Sequence, residues 1–127
     1  MLRLDCLDPM LNKPGVLLRL EGALLLIASV MAYRQLGGSW TWFAVLLLVP
    51  DVFMLGYLLN VRIGAVIYNA GHTLVIPLIA GCAALFAGAV DLLPFVFIWS
   101  AHIAMDRTLG YGLKYPTYFR DTHLQRV

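Results

Sequence analysis

The sequence predicts an all-α integral membrane protein, a four-helix up-down bundle with both termini in the cytoplasm. Of its 127 residues, 61% are hydrophobic and only 13% are charged, and the mean hydropathy is +0.84. Residues 63–90 contain no Asp, Glu, Lys or Arg, and this run exceeds the roughly 20 residues that a helix needs to cross a bilayer core. Lipid is therefore the expected solvent for most of the chain, and the bilayer is its first expected partner.

Short polar or glycine-rich breaks divide the apolar sequence into four expected spans, at about 16–34, 40–59, 64–87 and 92–109. The stretch "RQLGGSW" supplies a helix stop with Ser39 as an N-cap, and "NVR" and "VDLLP" mark the other two turns. Loops this short favour antiparallel neighbours. We therefore expect a single transmembrane domain, followed by an interfacial tail at 110–127.

The distribution of basic residues predicts the orientation. An even number of spans places both termini and the middle loop on one side, where the basic residues are Arg3, Lys13, Arg62, Arg107, Lys114, Arg120 and Arg126. The opposite side holds only Arg34. Because basic residues concentrate on the cytoplasmic side, we expect both termini in the cytoplasm and a multi-pass protein of the bacterial inner membrane.

Composition also excludes several classes of protein. A formal net charge of +2 is too small to indicate a nucleic-acid partner. Cys6 and Cys82 are poorly placed to pair, so no disulfide framework is expected. Asp5 and Asp8 interrupt the region where a cleavable signal peptide would be basic and then apolar.

Several polar side chains fall inside the predicted spans, where an ionisable group costs roughly 2.5–3.5 kcal/mol and usually faces the bundle interior. They are Arg19 and Glu21 in the first span, Asp51 in the second, Asn69 and His72 in the third, and His102 and Asp106 in the fourth. Counted at ~1.5 Å per residue from the cytoplasmic ends, the acidic residues and histidines among them lie ~3 to ~13 Å deep. The outer half has nothing to titrate, which predicts a polar cavity that opens toward the cytoplasm.

Helical spacing groups these side chains further. Trp99, His102 and Asp106 share one face of the fourth span, and Asn69 and His72 share a face of the third. Pro50 removes a backbone hydrogen bond next to Asp51, so we expect a kink there and a freed carbonyl. Close helix packing is expected at the glycines, which are Gly22, Gly56, Gly64, Gly71, Gly81 and Gly88.

This pattern predicts acid–base residues at four positions. Asp51 is the expected proton donor or acceptor with His72 as its partner, and His102, oriented by Asp106, is the second acid–base group. The expected substrate-binding residues are Arg19, Glu21, Tyr68, Asn69, Trp99 and Tyr111. Structural readings stay open beside these roles: an ion pair for His102 and Asp106, a carbonyl hydrogen bond for His72, and snorkelling for Arg19.

Metal chemistry is the alternative for the same residues. Two histidines and a carboxylate suit iron or zinc, but the sequence has no HExxH motif and no paired cysteine motif. We therefore expect no metal ligands and no cofactor, with Zn or Fe kept as the exception. Ser100 lacks a nucleophile elbow, and "GYGLKY" lacks the residue order of a phosphate-binding loop.

Five short motifs together resemble a known family. They are Pro50-Asp51, Tyr68-Asn69 followed by His72, His102 followed by Asp106-Arg107, "GYGLKY" at 110–115 and "DTHL" at 121–124. The combination resembles a family of small bacterial integral membrane proteins, domain of unknown function 4260, over nearly the whole chain. The resemblance implies the four-helix membrane architecture and implies no mechanism.

The function that we expect is a small intramembrane enzyme that uses acid–base catalysis, for isomerisation, cyclisation or hydrolysis of a lipophilic or amphipathic substrate in a cytoplasm-facing pocket. The alternatives are a non-catalytic membrane subunit or adaptor and a metal-dependent membrane hydrolase or oxygenase. A proton-coupled carrier is disfavoured because the outer half lacks polar residues. Homo-oligomerisation stays open, as does the role of the tail as a lid or an anchor.

Overall fold

The computed structural model describes residues 13–127, so the expectations for Arg3, Asp5, Cys6 and Asp8 lie outside the described residues. Within the described range the chain is all-helical with no strand, and its only β-type pairing is an isolated bridge between Lys114 and Thr122. The α-helices are α1 (Pro14–Gln35), α2 (Trp40–Leu46), α3 (Val61–His72), α4 (Val75–Phe86) and α5 (Leu93–Leu109). Three 3₁₀-helices cover Val49–Leu58, Val90–Leu92 and His123–Gln125.

Three helical segments are long and apolar enough to cross a membrane. They are α1, the segment Trp40–Leu58 formed by α2 and the 3₁₀-helix after it, and the segment Val61–Phe86 formed by α3 and α4. Large apolar side chains cover their outer surfaces, and Leu24 and Leu55 are each more than half exposed. Such a surface suits lipid and not water. The chain is therefore a helical membrane protein, while the sidedness of its termini stays a prediction.

The fourth segment, α5, is the most enclosed helix. Its 17 residues fall short of the roughly 20 that span a bilayer core. Ala101, Ile103 and Ala104 are completely buried, and α5 packs against α1, α2 and α4. Ser100, His102 and Asp106 of α5 therefore lie inside the bundle.

The third span differs from the expected continuous helix at 64–87. It is broken between α3 and α4, where Thr73 has an extended backbone with φ −90° and ψ 140°. Pro77 explains the break, because its ring cannot donate to the Thr73 carbonyl and collides with the preceding turn. The irregularity expected at Pro50 is confirmed, since α2 ends at Leu46 and the chain continues as a 3₁₀-helix.

These two breaks free backbone carbonyls, and side chains of α5 bind them. Trp99 Nε1 donates to the Gly71 carbonyl at 2.7 Å, and Arg107 donates to the His72 carbonyl at 2.9 Å. At the first break, His102 Nδ1 lies 2.6 Å from the Leu47 carbonyl. Backbone polar groups inside a bilayer must find partners within the protein. The hydrogen bonds from α5 therefore stabilise both helix breaks.

Glycines set the closest approaches between the segments. A methyl group at Gly22 of α1 would lie 2.7 Å from Arg107 Cβ, and one at Gly71 of α3 would lie 2.4 Å from the Phe53 ring. The expectation that Gly88 serves helix packing is wrong, because no atom lies within 4 Å of a methyl group built there. Gly88 instead has a φ of +70° and ends α4, where the left-handed conformation favours glycine.

Substitution of Gly22 should loosen the α1–α5 contact. We expect Gly22→Ile to destabilise the protein by about 1–3 kcal/mol, because α1 must move away from α5 to admit the side chain. The measurement is the melting temperature in detergent. Leu24 lies on the same helix and is 68% exposed. Leu24→Ile is therefore the matched control and should leave the melting temperature unchanged. Equal behaviour of the two variants would contradict the close contact.

Candidate metal centre

Four titratable side chains from three elements meet at one point in the bundle. Asp51 comes from the 3₁₀-helix after α2, His72 ends α3, and His102 and Asp106 lie one turn apart on α5. One nitrogen or oxygen of each lies within 4.8 Å of those of the other three. These are the four residues for which acid–base roles are predicted; the structure brings them together, and the roles stay predictions.

The distances within this cluster are short and similar. The two histidine Nε2 atoms are 3.1 Å apart. Asp51 Oδ1 lies 3.5 Å from His72 Nε2 and 3.3 Å from His102 Nε2. Asp106 Oδ2 lies 3.6 Å and 3.5 Å from the same two nitrogens. Each carboxylate therefore approaches both imidazoles, and neither forms a simple pair.

Backbone carbonyls set the tautomers of both histidines. His72 Nδ1 lies 2.9 Å from the Tyr68 carbonyl, and His102 Nδ1 lies 2.6 Å from the Leu47 carbonyl. A carbonyl can only accept, so each Nδ1 carries a proton and donates it. In the neutral imidazoles, each Nε2 then presents a lone pair to the other Nε2 and to two carboxylates. Two nitrogen lone pairs and two carboxylates therefore point toward the same centre. A cation or an extra proton there would stabilise the cluster.

The arrangement fits a divalent transition metal. Bonds of about 2.0–2.2 Å in a tetrahedral zinc site separate neighbouring ligand atoms by about 3.3–3.6 Å. The five distances above fall between 3.1 and 3.6 Å, and the separation of the two carboxylates lies within 4.8 Å. A metal-bound imidazole almost always donates its other N–H to a carbonyl or carboxylate, as both histidines do here. Nitrogen and oxygen ligands in this ratio suit zinc and iron. The expectation of no metal ligands stays a prediction, and the geometry is compatible with the alternative of zinc or iron.

The cluster forms the floor of an open cavity of about 830 Å³, which is within the usual range for small-molecule sites. Asp51 and Asp106 line the cavity, and their side chains are 41% and 12% exposed. His72 and His102 lie behind them and are buried. A ligand would thus reach the cluster from the carboxylate side.

Two of the predicted substrate-binding residues also line the cavity, while two others form hydrogen bonds with backbone groups. Tyr68 and Tyr111 are part of the lining, and the Tyr68 ring stacks on His72 with centroids 3.7 Å apart. Trp99 uses its N–H for the Gly71 carbonyl. Asn69 uses both amide atoms, donating to the Lys114 carbonyl at 2.8 Å and accepting from the Lys114 N–H at 2.6 Å. Trp99 and Asn69 therefore act as positioning residues in this structure.

Arg19 and Glu21 do not join the site. Both are exposed on α1, and neither lines the main cavity. Arg19 instead borders a separate recess together with Lys13 and Val127. The structure thus separates this pair from the substrate-binding set in which they are predicted.

The tail at 110–127, called the cap below, forms the remaining wall of the cavity. Lys114 and Thr122 pair across its two arms, and Asp121 accepts hydrogen bonds from Thr117 and Arg126. The Lys114 ammonium donates to the Phe119 carbonyl at 2.7 Å. It also lies over the rings of Phe119, Tyr68 and Tyr57. The cap is thus a folded unit docked on α3.

Burial lowers the pKa of the Lys114 ammonium to about 8, and Asp106 opposes part of that effect. The group therefore remains mostly protonated at neutral pH, and the aromatic rings compensate part of its lost hydration. From the sequence, Lys114 is expected to be a basic anchor, with capture of a phosphate or carboxylate as the alternative, and its place in the cavity lining could not be predicted from local sequence. Met54, Phe119 and Thr122 are further lining residues that sequence reasoning missed.

The Asn69 side chain should control the docking of the cap. We expect Asn69→Ala to accelerate amide hydrogen exchange in residues 111–125 about tenfold or more, because two hydrogen bonds to Lys114 are lost. Asn60→Ala is the matched control, since Asn60 caps the start of α3 and accepts only from Ile63 N–H. Unchanged exchange in the Asn69 variant would show that other contacts dock the cap.

Comparison with known proteins gives the family and no activity. A protein-family model described as Domain of unknown function (DUF4260) matches residues 15–127. No curated protein and no solved structure matches the chain. Because the match covers most of the chain, and because the resemblance seen in the motifs is confirmed, this protein is a member of the DUF4260 family.

Proposed function

We propose that the protein is a metal-dependent membrane enzyme that hydrolyses an amphipathic substrate. His72, His102 and Asp106 would hold one divalent transition metal at the floor of the cavity, which leaves the open position of a catalytic site, and Asp51 would lie beside it as the base. The observation that carries the proposal is the convergence of two Nδ1-protonated histidines and two carboxylates on one point. Metal binding by these residues is the alternative that the sequence analysis keeps open beside the acid–base roles.

Electrostatics favours a metal over an ion-free cluster. Asp51 and Asp106 approach the same two imidazole nitrogens, and two carboxylates this close together favour a bound cation. Among the described residues no Lys or Arg forms an ion pair with Asp51 or Asp106. A divalent cation balances both carboxylates and uses both free lone pairs.

The exposed carboxylate suggests how hydrolysis would proceed. A divalent metal held by these residues would supply Lewis-acid activation of water, and Asp51 faces the cavity from which water and substrate would enter. Asp51 would accept the proton as the water oxygen bonds to the electrophilic atom of the substrate. The bond to the leaving group then breaks, and the proton passes to the leaving group. One water is consumed, and the site returns to its starting state.

The membrane position defines the kind of substrate. The cluster lies near the end of α5 that leads into the cap, where the basic and aromatic residues of a cytoplasmic interface are found. A substrate with a polar reacting group and an apolar tail could place the group at the cluster and the tail along the helices. We propose the cytoplasmic face of a bacterial inner membrane for this site.

A second candidate is the metal-free acid–base enzyme. The 3.1 Å separation of the two Nε2 atoms also suits one extra proton shared between the imidazoles, with the carboxylates as counter-charges. Isomerisation or cyclisation by proton transfer would then be the reaction class. A non-catalytic subunit, alone or as a homo-oligomer, would need the same residues only for packing.

Metal analysis separates these candidates. We expect the protein, purified without chelators, to contain about one zinc or iron per chain by elemental analysis, and His102→Gln or Asp106→Asn to reduce that content. Glu21→Gln, which removes an exposed carboxylate of α1, is the matched control and should retain the metal. Metal-free wild-type protein that binds neither zinc nor iron on addition would exclude the metal centre and favour the acid–base candidate.

Metal removal should also lower stability. A ligand present at 100 times its dissociation constant stabilises the folded state by about 2.7 kcal/mol, so chelation should reduce the melting temperature and re-addition of the metal should restore it. The Asp106→Asn variant should show a smaller response than wild type. A melting temperature that does not respond to chelator or metal would contradict occupancy of the site.

A further inference from the structure

The cavity above the metal ligands carries a second set of polar groups, supplied by the cap. Lys114, Arg120 and Thr122 all line it. We infer that these three residues form a subsite for the phosphate group of an amphipathic phosphate monoester. The inference rests on the proposed function, since it names the substrate class of the same cavity.

The charge balance of the lining favours an anion. Among the described residues that line the cavity, Asp51 and Asp106 are the only acids, and a divalent metal would neutralise both. The two histidine ligands are neutral when metal-bound. The charges of Lys114 and Arg120 would then remain, and a concave site with one sign of charge concentrates ligands of the opposite sign.

Arg120 has donors to spare. The other arginines nearest the site are committed: Arg107 donates to the His72 and Tyr111 carbonyls, and Arg126 pairs with Asp121. Within residues 13–127, Arg120 has no side-chain hydrogen bond and no ion pair, and it is exposed. A guanidinium presents a planar fork that matches two phosphate oxygens.

Thr122 supplies an independent observation. The residue is 3% exposed, yet its Oγ1 is buried without a hydrogen-bond partner among the described residues. Most buried hydroxyls are hydrogen-bonded, so a buried hydroxyl that borders a cavity points to a ligand oxygen. Thr122 also pairs with Lys114 across the cap, so the two side chains start from opposing backbone positions.

The number and kind of groups select a phosphate monoester. Guanidinium, ammonium and hydroxyl match three terminal phosphate oxygens, whereas a carboxylate offers only two. Met54, Tyr118 and Phe119 line the same cavity and present apolar surface to an alkyl chain. The apolar lining distinguishes a phosphorylated amphiphile from free phosphate, because only the amphiphile uses both parts of the cavity.

Calorimetric titration of the full-length, metal-saturated protein in a neutral detergent tests the subsite. Decyl phosphate is the probe, and inorganic phosphate and decanol are the two comparison ligands. We expect Arg120→Ala to weaken decyl phosphate binding about tenfold or more, since hydrogen bonds to a charged group are lost, and Thr122→Val to weaken it several-fold. Arg62→Ala removes an exposed arginine outside the cavity and should change nothing.

Metal content and circular dichroism, measured on each variant, keep the two hypotheses apart. Arg120→Ala is expected to retain the metal and the fold, because its side chain is exposed. Decyl phosphate binding that survives both substitutions would overturn the subsite even if the metal centre is confirmed. Inorganic phosphate or decanol binding as tightly as decyl phosphate would overturn the amphiphile assignment. Arg120-dependent binding by a protein that holds no metal would support the subsite and refute the metal centre.

Discussion

The structure depends on how backbone carbonyls are satisfied at two helix breaks inside the membrane. Pro50 and Pro77 each interrupt a helical segment, and no water is available in the hydrocarbon region to bind the freed carbonyls. Trp99, His102 and Arg107 of α5 donate to them instead. Removing any of these side chains would leave a polar group unpaired in a low-dielectric environment, which costs about 1–3 kcal/mol.

The same constraint prepares the site chemically. His102 donates its Nδ1 proton to the Leu47 carbonyl, and His72 donates its own to the Tyr68 carbonyl. Both Nε2 atoms are therefore left as bases. The first of these carbonyls is free because of a helix break, and the second belongs to the turn of α3 that precedes His72. Local backbone geometry thus sets the tautomers, and the proline-induced breaks serve both packing and chemistry.

The cap joins membrane-embedded and interfacial chemistry in one cavity. Asn69 of α3 binds the cap through two hydrogen bonds with the backbone of Lys114. The Lys114 ammonium also makes cation–π contacts with the rings of Tyr68 and Phe119. The floor of the cavity presents the carboxylates of Asp51 and Asp106, while its wall presents Lys114 and Arg120. Such a separation of charge suits a substrate whose polar group enters from the interface and whose reacting atom reaches the floor.

Composition and periodicity determined much of this protein. An apolar chain with few charges must be helical in lipid, and the kink at Pro50 follows from a missing N–H. Similar depths for Asp51, His72, His102 and Asp106 are a prediction from the rise per residue of a helix, and the structure brings the four side chains together. The exact helix boundaries and the break at Thr73 were not predicted, because Pro77 lies within an otherwise continuous apolar run.

The tertiary structure decided what these residues form together. Rotation of each segment about its own axis is set by packing, so the sequence alone could not place Glu21 outside the site or show that Asn69 and Trp99 bind backbone. Nor could it reveal that the Nδ1 atoms of His72 and His102 face the carbonyls of Tyr68 and Leu47, which belong to two different segments. Metal-ligand geometry depends on distances of a few tenths of an ångström between side chains from three elements, and such distances arise only when the segments pack.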